Sequence, residues 1–122
     1  MPEKEKSSKQ YDLEERTLGF ARDVRAFVKT LPRTVANGED IRQLVKASGS
    51  VGANYIEANE SLSKKDFVLR IKISRKEAKE SRYWLRLLDS ARDGVLEKQR
   101  ASLVQEATEL MSIFGGILRK SV

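Results

Sequence analysis

Four glutamates stand at spacings from which a helical protein can hold metal ions. Glu57 and Glu60 are three residues apart, and so are Glu77 and Glu80. Side chains at this spacing lie on one face of a helix, and facing carboxylates hold two metal ions in di-iron bundle proteins. Those sites also use a histidine from each of two helices, and this chain has none. A carboxylate-only magnesium or manganese site is therefore the least favoured interpretation.

The chain contains neither cysteine nor histidine. This composition excludes disulfides, thiolate nucleophiles, Cys- or His-based zinc sites and histidine acid–base catalysis. We predict a non-enzymatic protein with no catalytic residue, metal or cofactor. Asn54, Glu57, Glu77 and Glu80 are instead predicted to be buried polar groups. Glu77 then needs a basic or hydrogen-bonding neighbour, and Asn54 is a candidate donor to it.

A one-sided basic stripe is the second candidate site. Residues 64–89 carry nine basic and four acidic side chains, in a chain of net charge +6. Six of the basic residues fall within about a third of the helical wheel: Lys72, Arg75, Lys76, Lys79, Arg82 and Arg86. Such a stripe can contact the phosphates of RNA or DNA, but it can equally be a solvated face that pairs partly with neighbouring glutamates. No aromatic platform for stacking bases is evident beside it, and Tyr83 is the nearest aromatic residue.

A second apolar stripe adjoins the core face of the same segment. It consists of Leu69, Ile73, Trp84 and Leu87. One apolar stripe suffices for the core of a bundle, so another surface must cover the second. We therefore predict that these four residues form an interface between copies of the chain.

Apolar periodicity and capping residues predict four helices and no strand. The expected ranges are about 12–31, 39–59, 64–89 and 97 to near the C-terminus. Asp12 and Ser63 are predicted caps, and Asn37-Gly38 and Asp93-Gly94 are predicted turns. Gly49 and Gly52 favour the close approach of another backbone to the second helix, and a local kink is the alternative.

Short connections between these helices imply an all-α, antiparallel, up-down-up-down four-helix bundle, and the exposed stripe makes it oligomeric. We expect one domain over residues 12–122 behind a flexible basic leader at 1–11. No apolar run is long enough to span a membrane, and the first residues lack the apolar centre of a signal peptide. A cytoplasmic location and no membrane partner are therefore expected.

Several motifs in the segment 43–88 resemble a known family. They are QLV at 43–45, SVGANY at 50–55, EA at 57–58, SKKDF at 63–67, KEA at 76–78 and YWLRLL at 83–88. They are similar to signatures of the bacterial four-helix-bundle proteins first met as products of intervening sequences inside 23S ribosomal RNA genes. Gly49, where a larger residue is expected, and Arg75, where an apolar one is more usual, depart from the family pattern.

The resemblance implies a bundle that assembles into a cyclic homo-oligomer, typically a pentamer, with a basic surface. Relatives include the accessory protein of diversity-generating retroelements, which works with nucleic acid and a reverse transcriptase. The leading hypothesis is therefore a ring that binds RNA or DNA through phosphate contacts. The alternative is a protein-interaction scaffold without a nucleic-acid role, whose partner is encoded nearby.

Overall fold

The computed structural model describes residues 2–121, with side chains described from 13 to 121. Four helices occupy nearly all of this part of the chain: α1 Pro2–Val28, α2 Val35–Asn59, α3 Lys64–Leu87 and α4 Gly94–Lys120. Residues 2–121 contain no strand. The predicted all-α class with four helices is confirmed.

Each helix packs against two others. The contacting pairs are α1 with α2, α2 with α3, α3 with α4, and α1 with α4. All four helices contribute to one apolar core, in which Phe20, Leu44, Ile71 and Leu110 are at most 2% exposed. This core follows from the apolar residues that recur at helical spacing in every helix.

The second helix begins four residues before its predicted start. Thr34 caps it, because its side chain accepts a hydrogen bond from the Asn37 backbone N–H at 3.0 Å. The predicted turn at Asn37-Gly38 is therefore wrong, and both residues lie within α2. The cap spacing from Thr34 decides the local conformation here, although Asn-Gly by itself is typical of turns.

The other boundaries also shift from their predicted positions. Helix α1 spans Pro2–Val28, so the predicted range of 12–31 is wrong at both ends. The predicted cap at Asp12 is also wrong, because Asp12 lies within α1. The flexible leader at 1–11 stays a prediction. Helix α4 begins at Gly94 rather than 97, since the Asp93 carboxylate accepts from the backbone N–H groups of Val95 and Leu96.

The turn before α4 lies two residues earlier than the predicted Asp93-Gly94 turn. Ala91 and Arg92 adopt left-handed backbone conformations with φ of 55° and 58°. Glycine is the residue usually found in this conformation. Because neither position is a glycine, the sequence gives no signal for this turn. Asp93 is then free to cap the following helix.

Small residues let α2 approach both of its neighbours. A Cβ added to Gly52 would lie 2.7 Å from the Thr17 hydroxyl oxygen on α1, whereas one added to Gly49 would meet only the tip of Arg25 at 3.4 Å. On the other side of α2, the Ser74 hydroxyl donates to the Val51 carbonyl at 3.0 Å. The predicted close approach is confirmed at Gly52, and packing does not require a glycine at position 49.

Candidate nucleic-acid-binding face

Helix α3 has one buried and one outward side. Ser63 caps it as predicted, accepting from the Asp66 N–H at 3.0 Å. Ile71, Ala78 and Leu85 point into the core and are fully buried. These three residues share one side of the helix, because each is seven positions from the next. Residues on the remaining sides of α3 therefore face the neighbouring helices or the solvent.

The predicted basic residues lie on the outward side of α3. Lys72, Arg75, Lys76, Lys79 and Arg86 are exposed. Arg82 is the exception: it is half-buried, and its guanidinium donates to the Thr108 hydroxyl of α4 at 3.3 Å. We call these six residues the basic stripe. Five of its six charges are accessible to a partner.

The basic stripe takes part in no ion pair within the described part of the protein. Among residues 13–121, the cations that form ion pairs are Arg16, Arg42 and Arg100. None of these belongs to the stripe. The expectation that neighbouring glutamates would pair with part of it therefore finds no support among these residues.

An open groove continues the basic surface at the N-terminal end of α3. Its volume is about 700 Å³. The lining includes Lys64, Lys65 and Lys72, together with the apolar side chains of Val68 and Leu69. The sequence signal was present in the Lys64-Lys65 pair, but only the fold shows that both border the same groove as Lys72.

The predicted interface residues divide into two pairs. Leu69 and Leu87 are 53% and 49% exposed. Ile73 and Trp84 are half-buried, and Trp84 also packs against the core. The two leucines therefore supply most of the solvent-exposed apolar surface of the predicted interface. Trp84 has a structural role within the single chain, because it packs against the core.

The predicted set of buried polar residues is wrong for the single chain. Glu57 and Glu80 are exposed, and Asn54 and Glu77 are only half-buried. The carboxylates lie on the flanks of α2 and α3, where solvent reaches them, and not on the core stripe. Glu77 and Glu80 border an open groove of about 170 Å³ that Lys46 also lines.

Asn54 does not bond to Glu77, contrary to the expectation from the sequence. Its amide group donates to the Ser50 carbonyl at 2.9 Å, and its oxygen accepts from Arg70 at 3.0 Å. Partial burial raises the pKa of Glu77, and the nearby Glu80 adds to this, while Lys76 and Lys46 oppose it. Residues 13–121 contain no group of three or more acidic side chains placed to hold a metal ion.

Two polar clusters that sequence reasoning missed hold the helices in place. Arg16 of α1 contacts Glu106 of α4 at 2.7 and 2.9 Å and Glu109 at 2.7 Å. These hydrogen bonds raise the pKa of Arg16, the Glu106 contact most, although burial opposes the shift. Hydrogen bonds from Gln105 and then Arg16 lower the pKa of Glu109. In the sequence, only the i, i+3 spacing of Glu106 and Glu109 indicated that they could share one basic partner.

The second cluster joins two loops through the buried Asn37. Its amide group donates to the carbonyls of Pro32 and Asp89, both at 2.9 Å, and its oxygen accepts from the Asp89 N–H at 2.9 Å. Arg100 donates to the Leu88 carbonyl at the start of the same loop. Nothing in the sequence links residues 37 and 89, which are 52 positions apart.

These features define the class of the protein: an all-α chain of four helices with a basic outer face. The family model of the 23S rRNA-intervening sequence protein matches residues 9–116, and the chain belongs to this family. The predicted resemblance is therefore confirmed.

A crystal structure of a protein of unknown function from the S23 ribosomal protein family of Bacteroides thetaiotaomicron is similar to this chain. It is 28% identical, covers 87% of this chain and 97% of its own, and superposes with a TM-score of 0.73. None of the curated proteins matches the chain. Within the described residues, no helix has the length and apolar character needed to cross a membrane.

Proposed function

We propose that this protein is a non-enzymatic, homo-oligomeric four-helix bundle that binds RNA or DNA through phosphate contacts. The observation that carries the proposal is the basic stripe, with five exposed side chains and no ion-pair partner among residues 13–121. A row of cations without ion-pair partners attracts polyanions and releases their counterions on binding. The net charge of +6 acts in the same direction.

We propose an antiparallel, up-down-up-down arrangement for the bundle. Contact positions support it because they run in opposite order along paired helices. Between α2 and α3, Asn54 meets Arg70 and Val51 meets Ser74. Between α3 and α4, Arg82 meets Thr108, whereas the Leu88 carbonyl meets Arg100.

We propose that the exposed apolar surface of α3 joins copies of the chain into a ring. Leu69 and Leu87 supply most of this surface, with Ile73 and Trp84 beside them. The family resemblance leads us to expect a pentamer. A ring presents several copies of the basic stripe, so weak contacts to a single polyanion add up to a stable complex.

A salt titration of nucleic-acid binding tests the phosphate contacts. We expect affinity for short RNA and DNA to fall steeply with salt, as counterion release requires. Reversing Lys76 and Lys79 to Glu should weaken binding and flatten the salt dependence by about one unit of slope for each lost contact. Lys29 and Lys98 are exposed lysines outside α3, so their reversal to Glu is the matched control. No binding at low salt, or equal effects of both pairs, contradicts the proposal.

Light scattering tests the ring separately. The wild-type protein should give about five times the 13.8 kDa mass of one chain. Leu87→Glu should shift the mass toward the monomer, because it places a charge in the apolar contact. Val95→Glu is the control, since Val95 is 67% exposed and lies on α4. A wild-type mass of one chain overturns the oligomer.

A protein-interaction scaffold is the second candidate function. It is favoured by the exposed surface of Leu69 and Leu87, which a partner protein encoded nearby can cover instead of a second copy. Purification from the native host, followed by analysis of bound protein and bound RNA, separates the two candidates. Metal analysis of the same sample tests the proposed absence of a metal-dependent activity, and cell fractionation tests the proposed cytoplasmic location.

A further inference from the structure

We infer that Tyr83 is a base-stacking residue and that the nucleic acid bound by the basic stripe is single-stranded. This inference rests on the proposed function and specifies its ligand. Duplexes hide their bases, whereas unpaired bases stack on aromatic side chains. The sequence pattern indicates no aromatic platform beside the basic stripe, but the structure leaves the ring of Tyr83 exposed there.

The ring of Tyr83 is accessible. Its side chain lies on the outward side of α3, and the residue is 56% exposed. The other tyrosine within residues 13–121, Tyr55, is buried against Phe114. An exposed tyrosine on a highly charged helix leaves apolar ring surface in contact with water, and a stacked base would cover it.

Trp84 holds the Tyr83 ring from one side. The ring centroids are 5.1 Å apart with an interplanar angle of 77°, an edge-to-face contact. Trp84 is half-buried and packs against the core. A ring fixed in this way loses little conformational freedom when a base stacks on it, which favours binding.

Cations of the basic stripe flank the same ring. Lys79 precedes Tyr83 by four residues and Arg86 follows it by three, so both are its neighbours on the helix surface. Both are exposed. A nucleotide whose phosphates contact these cations has its base within reach of the ring. Backbone-tracking cations and an aromatic stacking surface together are the two components of a single-strand site.

The length of the basic stripe sets the size of the probe. Lys72 and Arg86 are 14 residues apart, which corresponds to about 21 Å along a helix. A stacked strand with a phosphate about every 3.4 Å places about six phosphates along that length. An unpaired RNA of eight nucleotides therefore covers one basic stripe, and a GC-rich, self-complementary RNA duplex of eight base pairs is the comparison ligand.

The experiment compares Tyr83→Ala with Tyr83→Phe on both probes by fluorescence anisotropy. We expect Tyr83→Ala to weaken binding of the unpaired RNA by between about 5-fold and about 150-fold, the range for one lost stacking contact. The duplex should be affected less than about 3-fold, because it offers no unpaired base, and the salt slope on either probe should not change. Tyr83→Phe keeps the ring and should keep the affinity. Circular dichroism and light scattering verify that the variants fold and assemble alike.

The outcomes separate this inference from the proposed function. If wild type binds neither these probes nor DNA of the same length at low salt, the proposed function fails, and this inference fails with it. If wild type binds both probes, Lys79→Glu weakens both and Tyr83→Ala weakens neither, phosphate binding stands and the stacking role is refuted. Equal losses on both probes for Tyr83→Ala also refute it, since a duplex offers no unpaired base.

Discussion

Replacing Gly52 by Ala tests the packing of α1 against α2 at its closest point. The new methyl group would lie 2.7 Å from the Thr17 hydroxyl oxygen and 3.1 Å from the Thr17 Cβ. Thr17 cannot turn aside freely, because it is buried and its hydroxyl donates to the carbonyls of Leu13 and Glu14 at 2.8 and 3.0 Å. Its β-branched side chain is also stiff about χ1. The helices must therefore move apart.

The magnitude follows from two opposing effects. Overpacking of this kind costs about 1–3 kcal/mol, while Ala in place of Gly in a helix gains about 1 kcal/mol. Gly49→Ala keeps the gain without the cost, because its methyl group meets only the flexible tip of Arg25 at 3.4 Å. The helix gain cancels between the two variants. Gly52→Ala should therefore be about 1–3 kcal/mol less stable than Gly49→Ala.

Urea denaturation followed by circular dichroism, at one protein concentration for all variants, measures this difference. Gly38→Ala is a second control, since nothing lies within 4 Å of its added Cβ. Adding Thr17→Ala to Gly52→Ala removes the hydroxyl oxygen nearest the new methyl group, so the double variant should lose less stability than the two single losses combined. If Gly52→Ala is as stable as Gly49→Ala, the close approach of α1 and α2 is refuted.

Three further predictions concern the polar groups that the fold positions. Asn37→Ala should cost about 2–4 kcal/mol, because it leaves the Asp89 N–H and two loop carbonyls without their partner; Asn37→Asp, which cannot donate to the carbonyls, should rescue little in urea denaturation. Glu77→Gln should stabilise the protein at neutral pH by up to about 1 kcal/mol. The raised pKa of Glu77 means that its ionised form is disfavoured by folding, so the gain should vanish as pH falls below its ordinary value of 4.5; a gain that persists at low pH contradicts this cause. Conversely, the pKa of Glu109 is lowered in the folded protein, so its ionised form stabilises the fold above pH 4.5, the ordinary pKa of the group. This stability is lost as the pH falls below 4.5 and through the lowered pKa. The Gln105 hydrogen bond is the largest cause of this shift and the Arg16 hydrogen bond the second, so Arg16→Met should remove part of the acid-induced loss of stability in a pH series of thermal melts. Arg42→Met, whose ion pair is exposed and lies within α2, should leave that loss unchanged.

Much of the fold was predictable because local signals agree with the tertiary structure. The apolar spacing on α3 places Ile71, Ala78 and Leu85 in the core, and Ser63 caps the helix as its position before Asp66 indicates. The basic stripe was predictable for the same reason, since one helix carries all six of its residues. Predictions failed where two local signals compete, as at Asn37-Gly38, where the cap from Thr34 overrides the turn signal of the pair.

The sequence by itself determined the helical class, the side of α3 that carries the charge, and the absence of cysteine and histidine chemistry. These properties depend on residue type and on spacing within one helix. The tertiary structure decided which residues lie between helices. It left Glu57 and Glu80 exposed to solvent, and it formed the hydrogen bonds between Asn54 and Arg70 and between Asn37 and Asp89. It also left Tyr83 exposed beside unpaired cations. Burial and partnership between distant residues depend on how neighbouring helices pack, and no single helix contains that information.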